Sequence, residues 1–206
     1  MIAEKLKKAG KPNILFQDLG ELYPWWVQSS APNTIIGDTT ADGNNCIELI
    51  SETGTARAAT GLAWQRGERV GNYPDDYRVA ILLNCPVSTD DNIPDEQFYF
   101  KVGNLRGYTL TFCVGSSTIN VYDGTTWVEV FSFTNIFINQ WVYIWFDVSA
   151  LKAELSVWWW GKSGATVVSD IDLWETSPDI WIRIGQKSPA IDTHTTYIDA
   201  ITISRV

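Results

Sequence analysis

The sequence predicts an all-β fold: a two-sheet antiparallel β-sandwich of jelly-roll type, with a short N-terminal arm or helix. Three observations carry this. Between Trp141 and Val148, Trp141, Tyr143 and Trp145 fall on one face of an extended chain and Val142, Ile144, Phe146 and Val148 on the other. Eleven tryptophans in 206 residues, amid strand-favouring Val, Ile, Thr and Tyr, make a strand-rich composition. Clusters rich in Gly, Pro, Asp, Asn and Ser break the chain at 37–45, 71–76, 86–95 and 185–194.

In chain order, residues 1–12 read as a basic arm. Lys5, Lys7, Lys8 and Lys11 against Glu4 give it +3, leaving −12 on the rest of a chain of net charge −9. A basic arm on an acidic body can dock on a neighbouring copy and build a homo-oligomer or larger assembly. The same composition also describes a solvated tail. Residues 13–206 then form one sandwich domain. Strands are predicted near Asn13–Asp18, Cys46–Ile50, Ala58–Gln65, Tyr77–Asn84, Gln97–Val102 and Tyr108–Val114. Others are predicted near Thr118–Tyr122, Trp127–Phe133, Trp141–Val148, Glu154–Trp160, Ile180–Ile184 and Tyr197–Ser204. Asp123-Gly124 marks a tight hairpin, whose two central residues require positive φ. No repeat of 20–50 residues is present, which excludes propellers and solenoids.

Two later segments repeat the division of faces. Leu155, Val157 and Trp159 oppose Ser156, Trp158 and Trp160, and Ile180, Ile182 and Ile184 oppose Trp181 and Arg183. If these strands are sheet neighbours, Trp141, Tyr143, Trp145, Trp158, Trp160, Trp181 and Arg183 form one patch, while Trp159 belongs to the core. So large an apolar surface implies a binding partner, unless another sheet, a loop or a neighbouring subunit covers it.

Bulk properties exclude several classes. A net charge of −9 and a pI near 4.5 oppose nucleic-acid binding. No apolar run reaches the ~20 residues of a spanning helix, so membrane insertion is not expected. Met1–Pro12 lacks the apolar stretch of a secretory signal. The expected setting is a virion or extracellular surface reached without a classical signal peptide, with the cytoplasm left open. Cys46, Cys85 and Cys113 form neither a disulfide framework nor a zinc spacing, and each reads as a small core residue.

The segments Trp141–Val148 (WVYIWFDV), Leu155–Gly161 (LSVWWWG), Ile182–Gly185 (IRIG) and Tyr197–Ser204 (YIDAITIS) follow one another as in concanavalin A-like and laminin G-type jelly rolls, which they resemble. Those families show W-x-x-I-x-F-D-V, L-x-V-Y-x-x-G, I-x-I-G and I-D-D-V-x-I. Asn13–Asp18, with Trp25 and Trp26 soon after, is similar to the first strand of jelly-roll carbohydrate-binding modules. The resemblance implies a sandwich holding a glycan or polysaccharide, often with a structural Ca2+ ion. It would place that ion at Asp18 and Asp199, although Ala200 stands where an acidic residue is customary. Physically, indoles stack on the C–H faces of a pyranose, and Arg183 or nearby carboxylates would take its hydroxyls.

Binding without catalysis is the leading expectation; a polysaccharide-degrading enzyme is the alternative. Asp170, Asp172 and Glu175 resemble the E-x-D-x-x-E signature of laminarinase-type glycosidases, with Asp first in place of Glu, in a stretch expected to be an acidic connecting loop. Lyase chemistry would call on His194, in an expected polar loop, with Tyr197 or Arg66. No G-x-S-x-G occurs, and no cysteine has an activating base nearby in sequence. Asp38, Asp42, Asn44 and Asn45, and Asp90, Asp91, Asp95 and Glu96, offer hard oxygen ligands without EF-hand spacing, and read as solvated loops.

Overall fold

The protein is described by a computed structural model at residues 14–18, 26–30, 34–51, 57–62, 76–84, 98–103, 108–115, 118–132, 140–149, 151–159, 163–175, 182–187 and 194–206. Side chains are described at 39–49, 76–84, 100–102, 108–115, 118–132, 140–149, 151–159, 163–175 and 195–206. The strands are β1 (Ile14–Asp18), β2 (Trp26–Ser30), β3 (Thr34–Ala41), β4 (Asn44–Ser51), β5 (Arg57–Leu62), β6 (Asp76–Asn84), β7 (Phe98–Gly103) and β8 (Tyr108–Val114). They continue with β9 (Thr118–Tyr122), β10 (Trp127–Ser132), β11 (Trp141–Ser149), β12 (Lys152–Trp159), β13 (Thr166–Asp172), β14 (Trp174–Glu175), β15 (Ile182–Lys187) and β16 (His194–Arg205). The first sheet runs β13-β12-β11-β6-β16-β4-β3, with β1 also on β16. The second runs β10-β9-β8-β7-β15-β5-β2, with β14 on β8. The pairings are antiparallel, so the expected two-sheet sandwich is present.

Alternation builds the core. Val142, Ile144, Phe146 and Val148 are buried, whereas Trp141, Tyr143, Trp145 and Asp147 between them are only partly so. Across the gap, Phe112 of β8 lies 4.6 Å from Phe146 of β11 and 5.4 Å from Phe100 of β7, ring centre to ring centre. These rings tie one sheet to the other. Trp159 packs against this core as expected, and Cys46 and Cys113 are fully buried. Cys85 and residues 1–12 lie outside the described residues.

Four strands were not predicted: β2, β3, β13 and β14. The Gly37–Asn45 region, expected as a break, is a hairpin: β3 and β4 pair from Thr34↔Ser51 to Ala41↔Asn44 around the two-residue turn Asp42-Gly43. Both turn residues have positive φ, 51° and 80°, as a tight hairpin of this kind requires. The expected tight turn at Asp123-Gly124 is instead a four-residue loop between β9 and β10, in which Gly124 alone has positive φ, 100°. Asp123 Oδ1 closes it, accepting from the backbone N–H groups of Thr125 and Thr126 at 2.8 Å each. The rule was sound; it applies to the other Asp-Gly pair. Residues 166–175, expected as an acidic connection, form β13 at the edge of the first sheet and β14 in the second. His194 opens β16, opposite Ser51, rather than sitting in a loop.

Phe112→Ala should cost about 3–5 kcal/mol in denaturant unfolding, because it removes the ring shared by both sheets. The backbone N–H groups of Thr126 and Thr125 hold the Asp123 carboxyl below its usual value of 3.8. A depressed carboxylate contributes order above its unfolded pKa and loses it as pH falls through the folded one. The Thr125 and Thr126 amide resonances should therefore shift together in acid, with a midpoint below 3.8.

Candidate functional site

Register converts the alternation into rows across the outward face of β6, β11, β12 and β13. One row carries Leu82, Tyr143 and Trp158, the next Ala80, Trp145, Ser156 and Val167, and Trp141 lies opposite Asn84 at the end. Trp141, Tyr143, Trp145 and Trp158 are half-buried, neither sealed in the core nor fully open. Beside them the outward residues of β6, Ala80, Leu82 and Asn84, are buried. The Tyr143 and Trp145 rings lie 5.0 Å apart, and Val167 at the sheet edge is 52% exposed. The result is a ladder of partly buried rings across β11 and β12.

A polar border follows one row along. Arg78 of β6 faces Asp147 of β11 in a two-pronged pair, Nε to Oδ1 at 2.6 Å and Nη2 to Oδ2 at 2.7 Å. This carboxylate holds the Arg78 guanidinium above its ordinary range. Beside them Ser169 Oγ donates to Glu154 Oε2, and the next row holds the Ser149–Asp76 hydrogen bond and the Lys152–Asp172 ion pair. Burial, more than any charge, pushes the Tyr143 phenol up, so it stays a neutral donor. At the other end Trp141 Nε1 donates to Asp42 Oδ2 at 2.9 Å. Asp42, considered as a metal-loop carboxylate, instead orients the first ring.

The structure redraws the predicted patch. Trp141, Tyr143, Trp145 and Trp158 come together as expected. Arg183 does not join them: β15 belongs to the second sheet, between β7 and β5, where Arg183 is paired with Lys101 and Gly61. Trp160 and Trp181 lie outside the described residues. Sequence reasoning missed the Arg78–Asp147 pair and the Trp141–Asp42 contact, because partners 69 and 99 residues apart emerge only from register.

The enzyme alternative finds its acids dispersed. Asp172 is ion-paired with Lys152 at 2.7 Å on the first sheet, whereas Glu175 lies on β14 in the second. Asp170 occupies a β-bulge opposite Glu154 with φ 61°, exposed at the sheet edge. Arg66 and the His194 side chain are outside the described residues. Burial and the neighbouring Glu48 push the Tyr197 phenol up.

For calcium, the pair implied by resemblance falls on adjacent strands, with Asp18 opposite Ile201 and Asp199 at a buried bulge of β16. Calcium needs about six to eight oxygen ligands. Among the described residues no three acidic, histidine or cysteine side chains converge, and the Asp18 side chain lies outside them. Of the two loop clusters, Asp42 is engaged with Trp141, while the Asp38 side chain and residues 90–96 lie outside the described residues.

No family model and no curated protein matches this chain. Solved structures do match. A carbohydrate esterase from the Shiga toxin-encoding bacteriophage phi24B superposes with a TM-score of 0.60 at 12% identity, over 93% of this chain and 98% of that one. The exoplasmic/lumenal domain of VIP36, in its Ca2+/Man-bound form, gives 0.59 at 9% identity, over 89% and 84%. Lectin I-B4 from Griffonia simplicifolia, in a metal-free form, gives 0.59 at 9% identity, over 93% and 99%. The chain has the jelly-roll fold of concanavalin A-like lectins, a fold that carbohydrate-active enzymes share, and the likeness at these identities is one of fold.

Proposed function

We propose that this chain is a non-catalytic carbohydrate-binding protein of a virion or extracellular surface, which holds a glycan on the outward face of β11 and β12. The observation that carries this reading is the ladder itself: Tyr143, Trp145 and Trp158 in adjoining rows, partly buried, bordered by the Arg78–Asp147 pair. The rings offer apolar faces to sugar C–H groups, and the pair offers fixed donors and acceptors to hydroxyls. Lectins and a carbohydrate esterase built on this fold add a prior, while the site carries the argument.

Affinity-gel electrophoresis against β-glucan, alginate and mannan tests it. One of these should retard the protein, and Trp145→Ala or Trp158→Ala should weaken that retardation about tenfold, equivalent to about 1.4 kcal/mol. Arg78→Ala should also weaken it, yet change stability by no more than about 1 kcal/mol, because its side chain is 44% exposed. Retardation unchanged in all three variants removes the ladder as the site. New reducing ends or unsaturated products from any of these polymers, abolished by Asp170→Asn, would favour the enzyme alternative.

A further inference from the structure

The second sheet carries an aromatic recess that no part of the ladder touches. β13 ends at Asp172, and the chain crosses to the second sheet, where Trp174 pairs with Thr109 of β8. Trp174 thereby enters a recess of about 470 Å³ whose lining includes Lys101, Thr111, Tyr122, Thr125 and Trp127. That volume is within the ~300–1,000 Å³ of small-molecule sites.

Trp174 is fixed on several sides. Its Nε1 donates to Thr111 Oγ1 at 3.1 Å, the Lys101 ammonium lies 5.1 Å from its ring centre, and Tyr122 meets it edge-on at 5.3 Å and 87°. Tyr122 in turn contacts Trp127, with ring centres 5.4 Å apart. The loop between them closes against Trp174, since a Cβ added at Gly124 would stand 3.1 Å from Trp174 Cβ. A pre-set wall of rings reduces the ordering cost of binding.

We infer that this recess is a second saccharide site, holding a single pyranose unit against Tyr122, Trp127 and Trp174. The lining combines the rings of Tyr122, Trp127 and Trp174 with the Lys101 ammonium and the Thr111 and Thr125 hydroxyls. A guest must therefore present both a C–H face and acceptor oxygens, which a pyranose does. A cationic guest is disfavoured, because the chain's own ammonium already lies over the Trp174 ring. The inference shares with the ladder reading only the class of ligand. With one site on each sheet, a single protomer would engage two glycan segments at once.

Saturation-transfer NMR of the intact protein with D-mannose, D-galactose and D-glucuronate, each alone, tests it. At least one sugar should receive transfer at its ring C–H protons. That transfer should fall at least tenfold in Trp127→Ala and in Lys101→Met, persist in Trp127→Phe, and persist in Trp145→Ala. Transfer lost in Trp145→Ala but kept in Trp127→Ala assigns the sugar to the ladder and overturns the recess. No transfer from any of the three sugars also overturns it. Neither result alters the polysaccharide retardation that tests the ladder, so the two readings fail separately.

Discussion

The constraint on which the rest depends is the register of β11 between β6 and β12. A strand has a side-chain period of two, so a slip of one residue would send Trp145 inward and Phe146 outward. Eight or more consecutive pairs on each side, from Trp141↔Asn84 to Ser149↔Asp76 and from Val142↔Trp159 to Ser149↔Lys152, prevent that slip. The buried set Val142, Ile144, Phe146 and Val148 rewards the observed register, with Phe146 meeting Phe112 across the sandwich. The ring ladder is thus the other half of the pattern that makes the core.

Much of this was legible. Strong alternation at 141–148 and 154–160 marks both strands and both faces, and Trp159 is correctly assigned inward because it shares parity with Leu155 and Val157. Sheet membership was not legible: alternation sorts the faces of one strand but does not say which neighbour it joins. Ile180–Ile184 shows the same alternation as β11, yet its strand, β15, sits in the opposite sheet, which removes Arg183 from the ladder. The polar partner there is Arg78, on a strand read only for its apolar run, and it meets Asp147 because register sets them face to face.

The two Asp-Gly pairs show how context decides a local rule. At Asp42-Gly43 the strands pair up to the adjoining residues, leaving two residues and forcing both into positive φ. At Asp123-Gly124 two threonines lengthen the loop, so Asp123 becomes a side-chain cap and Gly124 alone takes the unusual backbone. Trp174 was similarly concealed. Residues 170–175 stand out in sequence for their carboxylates, yet it is Trp174 among them that passes to the second sheet and lines the recess.

Both proposed surfaces use rings for apolar sugar faces and a cation for hydroxyl oxygens, on opposite outer sides of one core. Such a layout depends on sheets held at fixed register. Hydroxyl-radical footprinting read by mass spectrometry tests the central claim most directly. The account predicts that Trp145 and Trp158 are oxidised in the free protein and protected once a retarding polysaccharide is added, while Phe146 and Phe112 stay unmodified in both. Protection of Trp145 and Trp158 in the free protein, with no change on adding polysaccharide, would contradict it.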